Sequence, residues 1–126
     1  MLIGAYALAY YGSPRSTGDI DLFVKCSSDN SKKIYAALVE FGAPVSSIDD
    51  QYLANYSNMI QIGVAPCRID IITKIDGVEY SSVVKIYAQV DDIVIPVISK
   101  DDFIKNKRAA GRLKDLADIE ALQNGT

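Results

Sequence analysis

The sequence contains no histidine. A Ser-His-Asp triad, a Cys-His pair and every His-ligated zinc centre are therefore excluded. Any catalysis must rely on carboxylates, Lys, Arg, Tyr or a hard metal ion. Cysteine is scarce, with Cys26 and Cys67 the two in the chain. They lack metal-ligand spacing and sit in apolar, strand-like runs, so buried free thiols in a reducing cytoplasm are expected. No run of about 18 apolar residues occurs, and no membrane span is expected. Met1-Leu2-Ile3 has neither a basic leader nor a cleavage site, which also points to the cytoplasm. Positive charge is in short supply: 13 Lys and Arg stand against 16 Asp and Glu, a net charge of -3. A general electrostatic binder of nucleic acid would be basic. Internal repeats and low-complexity linkers are absent as well.

What is present is an ordinary globular balance, 49% apolar and 23% charged. The 126 residues suffice for one domain, expected over 1–126. Met1-Leu2-Ile3 reads as a strand end, followed by Gly4 and a short helix from Ala5 to Tyr11. Gly12-Ser13-Pro14 closes that helix. Asp19 to Cys26 reads as a half-buried strand. Ser27-Ser28-Asp29-Asn30-Ser31 is turn and N-cap chemistry before a helix of about Lys32 to Phe41, stopped by Gly42. Residues 43 to 55 form a polar connection. Strands of about 58–64 and 68–73 make a hairpin, and 78–84 is left open. Lys85 to Val90 and Ile93 to Ile98 make a second hairpin. Ser99-Lys100-Asp101-Asp102 is a capping box for a helix reaching about Ala110. Gly111 breaks it, and a last helix covers about Lys114 to Gln123. The pattern predicts an α+β domain with a mixed sheet and helical flanks.

The chemistry concentrates in Asp19-Ile20-Asp21-Leu22. Strand residues two apart share a face, so Asp19 and Asp21 project together while Ile20, Leu22 and Val24 face the core. Two such charges repel, and a divalent cation relieves the repulsion. Carboxylate oxygens are preferred ligands of Mg²⁺. Asp70, in Arg68-Ile69-Asp70-Ile71-Ile72, joins the pair if its strand lies beside the first. Three carboxylates on adjacent strands can support a two-metal phosphoryl or nucleotidyl transfer.

Ahead of the pair, a strand end, Gly4 and a helix start form a phosphate-favouring arrangement of free N–H groups and helix dipole. Arg15 adds a planar cation suited to phosphate oxygens, with Ser13 and Thr17 as hydroxyl donors. A helix hairpin whose glycines only serve turns remains the alternative. Tyr6, Tyr10 and Tyr11 lie nearby, and helix packing is the expected role for them rather than base stacking.

Together, Leu2-Ile3-Gly4-Ala5, Asp19-Ile20-Asp21-Leu22 and the later Asp70 resemble the minimal nucleotidyltransferases of the DNA polymerase beta superfamily. The stretch from Ala7 to Asp21, with Lys107 to Ile119, looks like a prokaryotic, mostly uncharacterised subgroup. Some of its relatives are abortive-infection toxins of toxin–antitoxin systems. The resemblance implies Mg²⁺ held by Asp19 and Asp21, and a nucleoside triphosphate attacked at its α-phosphorus with loss of pyrophosphate. Asp70 would join a second metal or act as general base. Gly4, Ala5 and the amides after them would cradle the outer phosphates. Lys107, Arg112 and Lys114 would neutralise charge on the triphosphate or acceptor, unless they form a solvated helix face. The acceptor, whether RNA, protein or small molecule, is not implied.

Two features depart from the family pattern. Ala5 replaces a serine, and the helix that usually precedes the glycine motif is missing. The shortened N-terminal region is expected to expose apolar surface, which a second copy could cover as a homodimer. The competing reading is a catalytically silent binding or regulatory protein of the same fold, related to toxin–antitoxin systems. A structural domain with coincidental acids is the third.

Overall fold

The computed structural model describes residues 1–12, 18–64 and 66–124. Ser13, Arg15 and Thr17, expected near the triphosphate, lie outside them. The elements in chain order are β1 (Leu2–Ile3), α1 (Gly4–Tyr10), β2 (Asp19–Phe23), α2 (Ser28–Phe41), a single 3₁₀ turn (Tyr52–Ala54), β3 (Ile60–Val64), β4 (Cys67–Ile72), β5 (Lys85–Val90), β6 (Ile93–Ile98), α3 (Lys100–Ala110) and α4 (Leu113–Asn124). The six strands form one mixed sheet in the order β3-β4-β2-β1-β6-β5. The α+β architecture is the one the alternation of elements predicts.

The sheet carries apolar side chains on both faces, because both are covered. On one face, Leu38 of α2 and Leu53 of the 3₁₀ turn bury against Ile71, with Leu22, Val24 and Ile69 packed around them. On the other, Phe103 of α3 and Leu122 of α4 cluster with Met1, Ile3, Phe23 and Ile98. Strand alternation then sorts β2 and β4. Leu22, Ile69 and Ile71 belong to the α2 layer, whereas Phe23 and Ile72 belong to the layer under α3 and α4. Asp19 and Asp21 share the face of Phe23, and Arg68 and Asp70 share that of Ile72. One sheet face is thus apolar toward the C-terminal ends of β2 and β4 and charged toward their N-terminal ends.

The structure differs from the sequence reading in several places. α2 begins at Ser28, because Ser27 is the N-cap and its hydroxyl accepts from Asn30 N at 3.2 Å. The polar cluster is thus largely a helix start. β2 accordingly ends at Phe23, leaving Cys26 partly exposed beyond it. Cys67 is exposed at the start of β4, contrary to the expectation of a buried thiol. Between Val78 and Val84 the described chain forms turns, with one bridge from Ile75 to Val78.

The N-terminal segment also differs. β1 lies inside the sheet, antiparallel to β2 and parallel to β6. Met1 and Ile3 are buried, and Met1 N donates to Phe23 O at 2.7 Å. The apolar surface on which a second copy was expected is, at these residues, covered within the chain.

The start of α3 matches its capping box. Ser99 Oγ accepts from Asp102 N at 3.2 Å, and Asp102 Oδ2 accepts from Ser99 Oγ at 3.1 Å and from Val84 N at 2.7 Å. The Ser99 hydroxyl therefore caps the helix, and the Asp102 carboxylate holds that hydroxyl and ties down the preceding turn, while the Ser99 N–H goes to Val84 O. Ser99→Ala should cost about 1 kcal/mol, the usual worth of an N-cap, and Asp102→Ala rather more because Val84 N is also released. Urea denaturation of both variants checks the order.

Candidate active site

The site is built by strand register. β2 and β4 run parallel, pairing Asp19 with Arg68 and Asp21 with Asp70. Asp70 thereby joins the pair from β2, and Arg68 sits on the same face two residues before it. Arg68 Nη2 donates to Asp70 Oδ2 at 3.2 Å, its Nε lies 3.0 Å from Asp70 Oδ1, and Nη2 is 3.5 Å from Asp19 Oδ2. The guanidinium bridges two of the three carboxylates. Sequence reasoning missed it, although Arg68-Ile69-Asp70 has the same spacing as Asp19-Ile20-Asp21.

Asp21 has a different environment. Burial raises its carboxyl above the usual range; Asp70 and Asp19 raise it further, and its hydrogen bond to Asp70 adds to this, while Lys107 opposes it. Across β1, Ile3 pairs with Asp21, and Gly4 follows with φ 66. A Cβ at Gly4 would collide with the Asp21 carboxylate, so this glycine is required both by its left-handed backbone and by close approach. Gly18 is constrained in a second way: a Cβ there would overlap the Pro66 carbonyl. Its own carbonyl accepts from Arg68 N at 3.2 Å. The glycine lets the chain entering β2 lie against the start of β4, where the register is set.

A cavity of about 570 Å³ opens over these groups. Gly4, Ala5, Asp19, Asp21, Arg68 and Asp70 line one side, and Asn106, Lys107, Arg112 and Lys114 line the other. Every expected site residue within the described chain therefore reaches one cavity. The cations differ in availability. Lys107 is buried, 3.3 Å from Asp115 and 3.9 Å from Asp118. Arg112 Nε donates to Asp115 Oδ2 at 2.6 Å. Burial alone would raise the Asp115 carboxyl, but the hydrogen bonds from Arg112 and the charge of Lys107 outweigh it and hold it low. Both cations thus hold α4 to the end of α3 as well as facing the cavity, whereas Lys114 is exposed at its edge. Tyr6, Tyr10 and Tyr11 do not line it; Tyr11 donates to Ile98 O at 2.7 Å and stacks edge-on against Tyr10. Among the described residues, no group of three or more His, Cys, Asp or Glu is arranged to hold a metal ion. No described helix is long and apolar enough to cross a membrane.

The fold is nucleotidyltransferase-like. Among solved structures, the chain resembles the lincosamide antibiotic adenylyltransferase LnuA with lincomycin bound. The TM-score is 0.54 at 15% identity, covering 99% of this chain and 85% of that one. At that identity the likeness speaks for the fold. No protein-family model matches the sequence, and no curated protein matches it significantly.

Two outcomes follow from the geometry. Lys107→Met would remove the ammonium beside buried Asp115 and Asp118 while Arg112 still holds Asp115, at a cost of about 1.5–3 kcal/mol in denaturant unfolding. For Asp21 the sign runs the other way. Its carboxyl is raised on folding, so its stability contribution is full below the unfolded pKa and lost as pH rises through the folded one. Asp21→Asn should therefore melt above the parent at neutral pH without divalent cations. The gap should close toward about pH 4, as both forms become neutral.

Proposed function

We propose that this chain is a Mg²⁺-dependent nucleotidyltransferase that moves a nucleoside monophosphate from a nucleoside triphosphate to an acceptor. The observation that carries the reading is the β2–β4 register, which gathers Asp19, Asp21 and Asp70 at one wall of a polar cavity. The nucleotidyltransferase-like fold supports it. The chemistry of the donors suits a hard cation, although the three acids are not arranged around one point in this structure: the oxygens are carboxylates, and Asp21 has an excess of negative charge around it. Asp19 and Asp21, with Asp70, would hold Mg²⁺. When bound, the ion would neutralise charge on the phosphates and orient the α-phosphorus for in-line attack.

The remaining work falls to side chains and backbone. Ile3 offers no side-chain cap to α1, and the amides of Gly4 and Ala5 would serve triphosphate oxygens instead. Lys114 adds charge from the opposite wall, and Lys107 and Arg112 contribute a fixed positive field there. Asp70 would accept the proton of the attacking hydroxyl unless it serves a second metal. The acceptor is a hydroxyl-bearing group of a small molecule, an RNA or a protein, and a cytoplasmic setting suits the free thiols. Membership of the toxin-like subgroup and pairing with a second copy belong to this proposal as well.

A second reading has its own support. Arg68 already compensates Asp19 and Asp70, and Ala5 replaces the family's serine hydroxyl, as a catalytically silent binding protein would tolerate. Triphosphate turnover separates the two, and calorimetric titration with non-hydrolysable nucleoside triphosphates and Mg²⁺ tests the site first. The parent should bind, and Asp19→Ala/Asp21→Ala should weaken binding at least about a hundredfold, as loss of metal ligands does. A folded parent that does not bind overturns the enzyme reading.

A further inference from the structure

Among the described residues, the wall of the cavity carries three carboxylates and, in direct contact with two of them, the guanidinium of Arg68. Arg68 does not simply decorate this wall. Its fork faces Asp70 with both Nε and Nη2, and the same Nη2 faces Asp19. Those are oxygens that a divalent cation at this site would need. Nη2 donates one hydrogen bond to Asp70 Oδ2, while the Nε approach to Oδ1 and the Nη2 approach to Asp19 are ion-pair contacts without hydrogen bonds, and a metal ion must displace this guanidinium to use the oxygens. The side chain is about one third exposed, so it has solvent to move into. Asp70 cannot move with it, because the Asp70 side chain is 11% exposed and its backbone is locked between β2 and β3. Lys107, a second described cation near the acids, is committed to Asp115 and Asp118 on the helical side.

Resting on the metal-dependent reading above, we infer that Arg68 is a displaceable internal cation: it holds Asp19 and Asp70 together in the metal-free protein and competes with the divalent ion for their oxygens. The exchange replaces a singly charged guanidinium by a doubly charged ion, so the three carboxylates gain net compensation as the ion arrives. Once released, it lies beside the cavity with its five N–H donors directed at whatever anion the ion has brought, so the residue that opposes metal binding would then favour the triphosphate. Arg68 would thus make metal and nucleotide binding cooperative, with the ion alone binding weakly and the ion with triphosphate binding well.

The test uses the full chain with Mn²⁺ as probe. Calorimetry and the electron paramagnetic resonance signal of free Mn²⁺ measure binding to the parent, Arg68→Met and Arg68→Lys, with thermal melting in parallel. Removing one charge a few ångströms from the ligands should tighten Mn²⁺ binding to Arg68→Met roughly tenfold. Arg68→Met should melt below the parent without metal, because the carboxylates lose their counter-charge, and saturating Mn²⁺ should close most of that gap. Arg68→Lys, which keeps the charge without the fork, should fall between the two, and it serves alone if the Met variant does not fold. Equal or weaker Mn²⁺ binding by a folded Arg68 variant overturns the inference and leaves the metal reading standing. Failure of parent and variants alike to bind Mn²⁺ overturns both.

Discussion

Everything at the site depends on the parallel pairing of β2 with β4. A parallel register aligns residues that are far apart in sequence, and here it sets Asp21 against Asp70 and Asp19 against Arg68. Four ionisable side chains are thereby placed on one sheet face within hydrogen-bonding reach of their neighbours. The pairing is not favoured by those charges, because the acids repel and raise the Asp21 carboxyl. It is held by the other face and by the far end of the same face. Leu22, Ile69 and Ile71 lie under α2, and Phe23 lies under α3 and α4. Apolar burial of this kind, worth roughly 1.5–3 kcal/mol per large side chain, is what holds the carboxylates at close range.

The helical layer is organised around an equally costly cluster. Lys107, Asp115 and Asp118 are all buried, and Arg112 closes the cluster from the solvent side. Gly111, in the left-handed region at φ 67, turns the chain between α3 and α4 and brings the partners together. Such a network is a weak source of net stability but a strong constraint on geometry, since any misplacement of α4 would strand a buried charge. Its consequence for the cavity is a wall whose positive charge is fixed rather than mobile. Electrostatic assistance that needs no rearrangement during a reaction is the more effective kind.

The two walls therefore differ in kind. The sheet wall is anionic, with Arg68 its only direct counter-charge among the described residues, and the helical wall carries Lys107 and Arg112, already satisfied by their own acids, with Lys114 exposed at its edge. The Gly4 approach to Asp21 adds a further restriction, because no side chain can be introduced there without moving the acid.

A good deal of this was legible in the chain itself. The period-two placement of Asp19 and Asp21, the capping box at Ser99 and the stops at Gly42 and Gly111 are local features, and local chemistry determines them. The same locality explains the errors. Ser27 to Ser31 reads equally as a turn or as a capped first turn, and the decision lies in whether the helix that follows has a sheet to pack on. The roles of Lys107 and Arg112 were only half legible, because Asp115 and Asp118 become their partners once α4 folds back. The burial of Met1 and Ile3 could not be read from a two-residue strand whose neighbours, β2 and β6, lie far along the chain. Arg68 was passed over for a related reason. An i, i+2 pair of opposite charges on one strand is unremarkable until a second strand sets two more acids beside it. The sequence by itself determined which residue types could do chemistry and which segments would be strands or helices, since these follow from side-chain chemistry and backbone preference. Tertiary structure alone decided which charges meet, because strand order and register are set by the apolar surfaces that the whole chain buries together.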